Sequence, residues 1–309
     1  MTPRAWAVAL GIALAGCSDA SGPVTLKMWA MGREGELVGQ LVAGFEREHP
    51  DVRVEIQALP WVSAHEKLLT AFVGEATPDV AQLGNTWIPE LAALDAFAPL
   101  DARIAASQVV RPADYFTGIW DTNSIGGVVV GVPWYVDTRL VFYRRDLLAE
   151  AGYPEPPVSW PAWREAMRAI KRRAGPSRFA ILLPLDEYDQ LLSFALQEDD
   201  PLLRDRGRYG NFESPGFRRA LSFYLGLFVE QLAPMTTQLQ VSNPWDELAR
   251  GYFSFFMHGP WSIGEFKRRL PASQQDLWAT AALPGPHGPG AGIAGGASLV
   301  IFRRSAHPD

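Results

Sequence analysis

Two kinds of hydrophobic pattern alternate in the first part of the chain. Val24–Trp29 and Val52–Ile56 alternate apolar and polar side chains, which predicts two strands. Between them, a turn is predicted at Gly32–Gly35, and apolar residues then recur at helical spacing over Glu36–His49. The proline that follows His49 ends this predicted helix. Strand, helix and strand in this order indicate an α/β fold.

The next strand is followed by polar and aromatic residues. A helix is predicted near Ser63–Gly74, and Pro78–Leu83 is predicted to be a short buried strand. Three residues come just after this strand and its closing glycine: Asn85, Thr86 and Trp87. Because strands of α/β sheets direct their carboxyl ends toward the ligand crevice, these three are candidate site residues. Alternatively, Asn85 only caps a helix over Ile88–Leu94, and both roles are compatible.

The segment Gly126–Leu148 has the features of a crossing between two lobes. An apolar run, Val128–Val132, predicts a buried strand, and Leu140–Tyr143 predicts a second one. The residues between them are aromatic and then polar: Pro133, Trp134, Tyr135, Asp137, Thr138 and Arg139. Small ligands commonly bind in crevices at such crossings.

The second half of the chain alternates helices and short strands. Ser159 is predicted to cap a helix that ends at Gly175, with Trp160 and Trp163 as packing residues. Further elements are predicted at Phe179–Leu183 (strand), Ser214–Glu230 (helix), Tyr252–Met257 (apolar segment leading to Trp261) and Gly295–Val300 (return strand after a Gly- and Pro-rich loop).

The N-terminus has the pattern of a bacterial lipoprotein signal. Met1–Arg4 is positively charged, and Ala5–Ala15 is apolar but too short to span a bilayer. The sole cysteine of the chain, Cys17, closes the sequence Leu-Ala-Gly-Cys. Residues 1–17 are therefore expected to be a signal peptide with lipidation at Cys17, followed by a tether over 18–23; a plain secretory peptide is the alternative.

Composition adds few constraints. The chain has 309 residues, of which 48% are hydrophobic and 20% charged, as in ordinary globular proteins. Its net charge of −6 gives no electrostatic reason to expect nucleic-acid binding. One cysteine excludes an intramolecular disulfide, and the eleven tryptophans divide between core positions and candidate sugar-stacking positions.

The sequence contains no convincing catalytic, metal or cofactor motif. His-Glu-x-x-His, Gly-x-Ser-x-Gly and the phosphate-binding Gly-x-x-x-x-Gly-Lys-Ser/Thr are absent, and the five histidines lack metal-ligand spacing. Gly290, Gly292 and Gly295 match a dinucleotide-binding pattern in letters, but they precede a strand instead of opening a helix. We therefore expect no enzyme activity, no cofactor and no metal.

The crossing segment resembles solute-binding family 1, the extracellular solute-binding proteins of sugar-importing ABC transporters. The resemblance rests on Gly131-Val132-Pro133-Trp134, Asp137-Thr138, Leu140–Leu147 and Ala151-Gly152. It extends to the His49-Pro50-Asp51 link, the Pro-x-Ser-Trp loop before Trp163, the Gly259-Pro260-Trp261 element and the Gly295-Gly296 strand.

This resemblance implies a two-lobe, type II periplasmic-binding-protein fold with a hinge and an interlobe cleft. The lobes are expected at about 24–136 plus 279–309 and at 137–278, with hinge segments near 134–139 and 277–281. Members of the family continue with further helices where this chain stops, so a truncated C-terminus is expected.

The same resemblance, with the chemistry of the side chains, predicts the ligand-binding residues. Indoles stack on the apolar faces of sugar rings, and carboxylates, amides and guanidinium groups pair with hydroxyls. The predicted stacking residues are Trp134 and Trp261, then Trp29 and Trp87. The predicted hydrogen-bonding residues are Asn85, Asp137 and Arg139, then Glu34, and Thr86 is a further ligand-binding candidate. Gly295 and Gly296 would allow the ligand to approach the backbone. Two of these have alternatives, because Arg139 could form an interlobe salt bridge and Glu34 could simply begin a helix.

The expected function is extracytoplasmic sugar binding. The protein would be a monomer, anchored by lipid in the periplasm or at the cell surface, and would deliver a mono- or oligosaccharide to an ABC transporter permease by hinge closure. The alternatives are a polyamine or peptide ligand, a sensor or adhesion protein without a transporter, and a glycoside-active enzyme that uses Asp137 and Glu34.

Overall fold

A computed structural model describes residues 22–241 and 243–308. The predicted signal peptide, the lipidation site Cys17 and most of the tether lie outside the described residues.

The chain divides into two compact units. The first comprises 22–106, 125–131 and 299–308, and the second comprises 107–124 and 132–298 without residue 242. The predicted lobe boundaries differ from these bounds, because the prediction places 107–124, 132–136 and 279–298 in the first lobe. The predicted lobe boundaries thus remain a prediction.

The described residues form mixed strands and helices in chain order. The strands are β1 Val24–Met31, β2 Val52–Leu59, β3 Val80–Gly84, β4 Ser124–Ile125, β5 Val128–Val129, β6 Gly131–Thr138, β7 Leu140–Arg144, β8 Ile181–Leu182, β9 Leu203–Arg204, β10 Tyr209–Gly210, β11 Phe255–His258, β12 Trp278–Ala281 and β13 Ala294–Ile301. The helices are α1 Gly32–Glu48, α2 Trp61–Val73, α3 Ile88–Ala93, α4 Asp101–Ala106, α5 Thr117–Asp121, α6 Arg145–Glu150, α7 Trp160–Ala174, α8 Asp189–Ala195, α9 Pro215–Val229, α10 Pro244–Ala249 and α11 Trp261–Arg269.

The first unit is built on parallel strands. β1 pairs in parallel with β2 on one side and with β3 on the other. Helix crossovers between parallel strands cover such sheets, and here α1 connects β1 to β2 and α2 connects β2 to β3. The core of the unit contains fully buried apolar side chains, among them Leu68, Leu83, Ile88, Phe97 and Phe302.

The second unit contains a four-stranded sheet of order β12-β7-β11-β8. β7 is antiparallel to β11 and β12, whereas β8 is parallel to β11. A large aromatic core lies beside this sheet and includes Trp163, Phe194, Phe223 and Phe255. Trp160 stacks on Phe223 with ring centroids 4.8 Å apart, so the predicted packing roles of Trp160 and Trp163 are confirmed.

Several predicted elements differ in their ends. The turn predicted at Gly32–Gly35 is the first turn of α1, because Gly32 at φ +53° lets the helix begin directly after β1. The predicted strand Val128–Val132 is divided between β5 and β6, since Val130 lies outside both. Only Ile181–Leu182 of the predicted strand Phe179–Leu183 forms a regular strand, β8.

Helix ends in the second unit follow the predicted positions but not always the predicted chemistry. Ser159 precedes α7 with extended backbone, yet its side chain makes no capping hydrogen bond. Gly175 follows α7 at φ +80°, as a C-terminal glycine should. Ser214, in contrast, caps α9 by accepting a hydrogen bond from the backbone N–H of Phe217.

Within the described part of the chain, none of the helices has the length and apolar character that a membrane span requires.

Candidate functional site

Aromatic residues of the first unit gather at the carboxyl ends of its parallel strands. Trp61 begins α2 directly after β2, and Asn85–Trp87 form a short 3₁₀ turn directly after β3. The indoles of Trp61 and Trp87 lie 5.4 Å apart between centroids, tilted by 59°. Because parallel strands end at one edge of a sheet, residues from two separate segments meet here.

Glycines leave room for these two rings. A side chain at Gly32 would place its Cβ 2.8 Å from the Trp61 indole, and one at Gly84 would lie 3.5 Å from Trp87 and 3.7 Å from Trp61. Trp87 also contacts the imidazole of His65, with centroids 5.2 Å apart. His65 Nε2 is hydrogen-bonded to a Glu90 carboxylate oxygen at 2.7 Å. The Trp87 ring therefore contacts both Trp61 and an imidazole that Glu90 fixes.

Asn85 does not cap a helix. The residue before α3 is Trp87, which makes no side-chain capping bond, so the capping alternative for Asn85 is wrong. Both the Oδ1 and Nδ2 atoms of Asn85 are buried and have no hydrogen-bond partner among the described residues. A buried amide without partners costs free energy unless something else supplies them, which suits a ligand-binding role. Thr86, next to it, is exposed.

Trp29 and Glu34 each have a structural role. Trp29 lies within β1, packs against the core of the first unit and has the Lys67 ammonium 4.9 Å from its ring centroid. Glu34 is the acidic residue in the first turn of α1, where a carboxylate favours the helix dipole. The alternative predicted for Glu34 therefore fits, and a ligand role for either residue remains a prediction.

Charged side chains of the second unit converge on Arg139. Its Nη1 donates to Asp137 Oδ1 at 3.1 Å and its Nε donates to Asp189 Oδ2 at 2.6 Å. The three side chains are only 19%, 14% and 17% exposed, in the order Arg139, Asp137 and Asp189. All three belong to the second unit, so these ion pairs are not the interlobe salt bridge that was the alternative for Arg139.

Trp261 joins this charged group. The Arg139 guanidinium lies 5.1 Å from the centroid of the Trp261 ring, a cation–π distance. Trp261 is 43% exposed, and its ring lies over Gly259, where an added Cβ would come within 1.8 Å of it. An exposed indole beside a fixed guanidinium is well suited to stack on a sugar ring and donate hydrogen bonds to its hydroxyls.

His258 stays neutral behind this tryptophan. Its imidazole lies between the Phe256 ring, 4.5 Å away, and the Trp261 ring, 4.8 Å away. Its Nδ1 is hydrogen-bonded to Ser262 Oγ at 2.6 Å. Desolvation and, secondarily, the positive charge of Arg139 lower the pKa of His258 to about 3. Arg139 is thus the cation that carries charge at this position near neutral pH.

Trp134, Gly295 and Gly296 lie on neighbouring strands. Trp134 is partly buried in β6, with its ring centroid 6.0 Å from that of Tyr135. An added Cβ would lie 2.7 Å from Asp137 Oδ1 at Gly295 and 2.2 Å from the Tyr135 carbonyl oxygen at Gly296. The close approach that these glycines permit is therefore to β6, and an approach by a ligand remains a prediction.

Sequence reasoning missed several residues of both groups. Trp61 follows β2 at a strand end, so the rule that selected Asn85–Trp87 could have selected it too. Asp189 and the neighbouring Glu187 lie in the acidic stretch 186–189 that follows β8, which is a similar signal. No local pattern marks His65, whose partner Glu90 lies in another helix.

Both groups combine hydrogen-bonding side chains with aromatic ring faces. In the described residues no cluster of histidine, cysteine and acidic side chains could hold a metal ion. The first unit offers two indoles and an amide, and the second offers an indole, a guanidinium and two carboxylates. These are donors, acceptors and ring faces for a polyhydroxylated ligand.

Comparisons with known proteins agree with this chemistry. The sequence profile named bacterial extracellular solute-binding protein matches residues 32–309. The structure of the sugar-binding protein MalE from Xanthomonas citri is 55% identical in sequence, with a TM-score of 0.79, over 93% of this chain and 72% of that one. The diacetylchitobiose binding protein DasA of Streptomyces coelicolor is 24% identical over 92% of this chain and 67% of its own length.

A third relative matches a shorter part of this chain. An uncharacterized lipoprotein from the oleD 5′ region of Streptomyces antibioticus is 34% identical over 56% of this chain, which is 40% of the lipoprotein. The chain thus spans from two fifths to about seven tenths of the length of these relatives.

The mixed α/β fold is that of the two-lobe periplasmic binding proteins, which confirms the predicted fold class. The chain belongs to the bacterial extracellular solute-binding protein family, as its sequence resemblance implied. Membership of this family places it outside the cytoplasm.

Proposed function

We propose that the protein binds a mono- or oligosaccharide outside the cytoplasm and delivers it to the permease of an ABC transporter. The observation that carries this proposal is the 55% identity to the sugar-binding protein MalE over 93% of the chain. The arrangement of Arg139, Asp137 and Trp261 supports it, because it combines a ring face with paired donors and acceptors.

The finer features of the proposal follow from the sequence. The protein closes around its ligand by hinge movement between lobes at 24–136 plus 279–309 and at 137–278, and only the liganded form favours closure. It acts as a monomer, held at a membrane by lipid on Cys17 at the periplasmic side or the cell surface. It is a binding protein without catalytic activity, as the names of its relatives are those of binding proteins.

A thermal-shift screen of the full chain tests the sugar assignment. The probes are maltose, diacetylchitobiose and acarbose, with spermidine and a mixed peptide pool as the other ligand classes. A ligand at about a hundred times its dissociation constant adds roughly 2.7 kcal/mol to the free energy of unfolding. For a chain of this size the midpoint temperature then rises by several degrees.

The outcomes separate the alternatives. A rise with a sugar alone supports the proposal, whereas a rise with spermidine or peptides alone overturns it. Release of a chromophore from a nitrophenyl glycoside by the full chain would show catalysis, and Asp137→Asn and Glu34→Gln would then identify the carboxylates.

A further inference from the structure

The pair formed by Trp61 and Trp87 has features that core packing leaves unexplained. Both rings pack against the core of the first unit on one side, yet both remain partly exposed. Fully buried tryptophans exist in this protein, since Trp163 is 0% exposed. Exposing indole surface at a strand edge forgoes hydrophobic free energy that a more buried position would provide.

The surroundings of Trp61 fit it closely. Gly32 adopts φ +53°, and only a residue without a Cβ leaves room for the indole there. Gly84 faces both rings, and the next residue is Asn85. The side-chain amide of Asn85 is buried, and neither of its polar atoms has a partner among the described residues.

The tilt of the two rings determines what they can accept. At 59° and 5.4 Å they form an open corner and not a flat stack. A ring-shaped ligand that lies flat on one indole therefore turns its edge toward the other. A pyranose has C–H groups on its faces and hydroxyls around its edge, so it needs an apolar wall and a nearby amide together.

We propose that Trp61 is a sugar-stacking residue, which forms with Trp87 and Asn85 a subsite for one pyranose ring on the first unit. This inference rests on the proposed function and specifies part of that same site. His65 is a positioning residue for the subsite, because its imidazole contacts the Trp87 ring and is fixed by Glu90.

Fluorine NMR of the full chain labelled with 5-fluorotryptophan tests the inference directly. The resonance that disappears in Trp61→Phe is the Trp61 signal, and this variant keeps an aromatic ring in the corner. Maltose, diacetylchitobiose and acarbose are then added in turn to the wild-type chain. We expect the Trp61 and Trp87 signals to shift with the sugar that binds, while the buried Trp163 signal stays in place.

Calorimetric titration measures how much Trp61 contributes to the affinity for the sugar. Trp61→Ala should weaken binding of that sugar by about tenfold or more, as truncating an aromatic anchor does, and Trp61→Phe should weaken it less. The matched control is Trp120→Ala, since Trp120 is also partly exposed and packs on one aromatic ring, Tyr115, at 5.2 Å; it should leave the affinity unchanged.

Failure of the inference differs from failure of the proposed function. If a sugar binds the wild-type chain but neither moves the Trp61 signal nor depends on Trp61, the subsite is wrong and the function stands. If none of the three sugars binds the wild-type chain, both are overturned. Should Trp61→Ala not fold, the fluorine shifts in the wild-type chain decide.

Discussion

Glu187→Gln is the substitution whose effect on stability the structure predicts in most detail. The Glu187 carboxylate accepts hydrogen bonds from the side-chain amides of Gln190 and Gln238. Burial and, after it, the negative charge of Asp189 raise the pKa of Glu187 to about 7, although the Gln190 hydrogen bond and Arg139 act in the opposite direction. The folded protein therefore holds a proton here that the unfolded chain releases.

The sign of the pH effect follows from proton counting. Between about pH 4.5, the ordinary value for a glutamate, and about pH 7, the folded state binds more protons at Glu187 than the unfolded state. The free energy of unfolding therefore falls as pH rises through this window, and above the window the loss caused by Glu187 stays constant. The interval from 4.5 to about 7 corresponds to about 3 kcal/mol, as an upper bound for a side chain that is partly exposed.

A glutamine at position 187 has no charge to bury. Its amide N–H₂ finds an acceptor when the Gln190 amide turns over, because the Oε1 atom of Gln190 has no hydrogen-bond partner among the described residues that this rotation would break. We therefore expect Glu187→Gln to be more stable than the wild-type chain by about 1–3 kcal/mol near pH 8. Near pH 5, where the wild-type glutamate is itself protonated when folded, this advantage should shrink.

Urea unfolding of the full chain at several pH values measures the difference. Glu213→Gln is the matched control, since Glu213 is exposed in the same unit; its effect should be small at every pH. A variant that is less stable than the wild-type chain near pH 8, or an advantage that does not change with pH, would refute the reasoning.

Three further substitutions test other parts of the second unit. Trp163→Ala should destabilise the protein by about 3–5 kcal/mol in urea unfolding, because it empties a fully buried site. Gly259→Ala should displace the Trp261 ring, which an added Cβ would overlap, and so increase quenching of its fluorescence by acrylamide, with Trp261→Phe as reference. Hydrogen bonds from Arg168, the main cause, lower the pKa of Glu230 to about 2, so Glu230 should contribute to a fall in wild-type stability as pH drops from about 4.5 toward 2. Glu230→Gln should show a smaller fall in thermal unfolding.

The sequence could predict those features that depend on neighbours along the chain. Alternation in β1 and β2 and helical spacing in α1 arise from local periodicity, so these elements were placed within a few residues of their observed ends. The rule that the carboxyl ends of parallel strands meet at one edge was enough to select Asn85 and Trp87 as site candidates. The same rule would have added Trp61, had β2 been extended to its observed end at Leu59.

Side-chain partners distant in sequence could not be predicted. Arg139 and Asp189 are 50 residues apart, and no periodicity links them. Capping depends on backbone angles at single residues, which composition does not determine: Ser159 and Ser214 both precede helices, and only Ser214 accepts the capping hydrogen bond. Asn85 has a residue type suited to a cap, but a 3₁₀ turn intervenes before α3.

The charges around Arg139 bear on the class of ligand. Its guanidinium is already matched by two carboxylates, Asp137 and Asp189, and His258 is neutral at physiological pH because its pKa is lowered to about 3. An anionic ligand would therefore meet at least as much negative as positive charge here, and electrostatic complementarity would be poor. A neutral polyol can instead donate to carboxylate oxygens and accept from guanidinium N–H groups at once, without adding charge. The balance of this group thus favours an uncharged sugar over an acidic one.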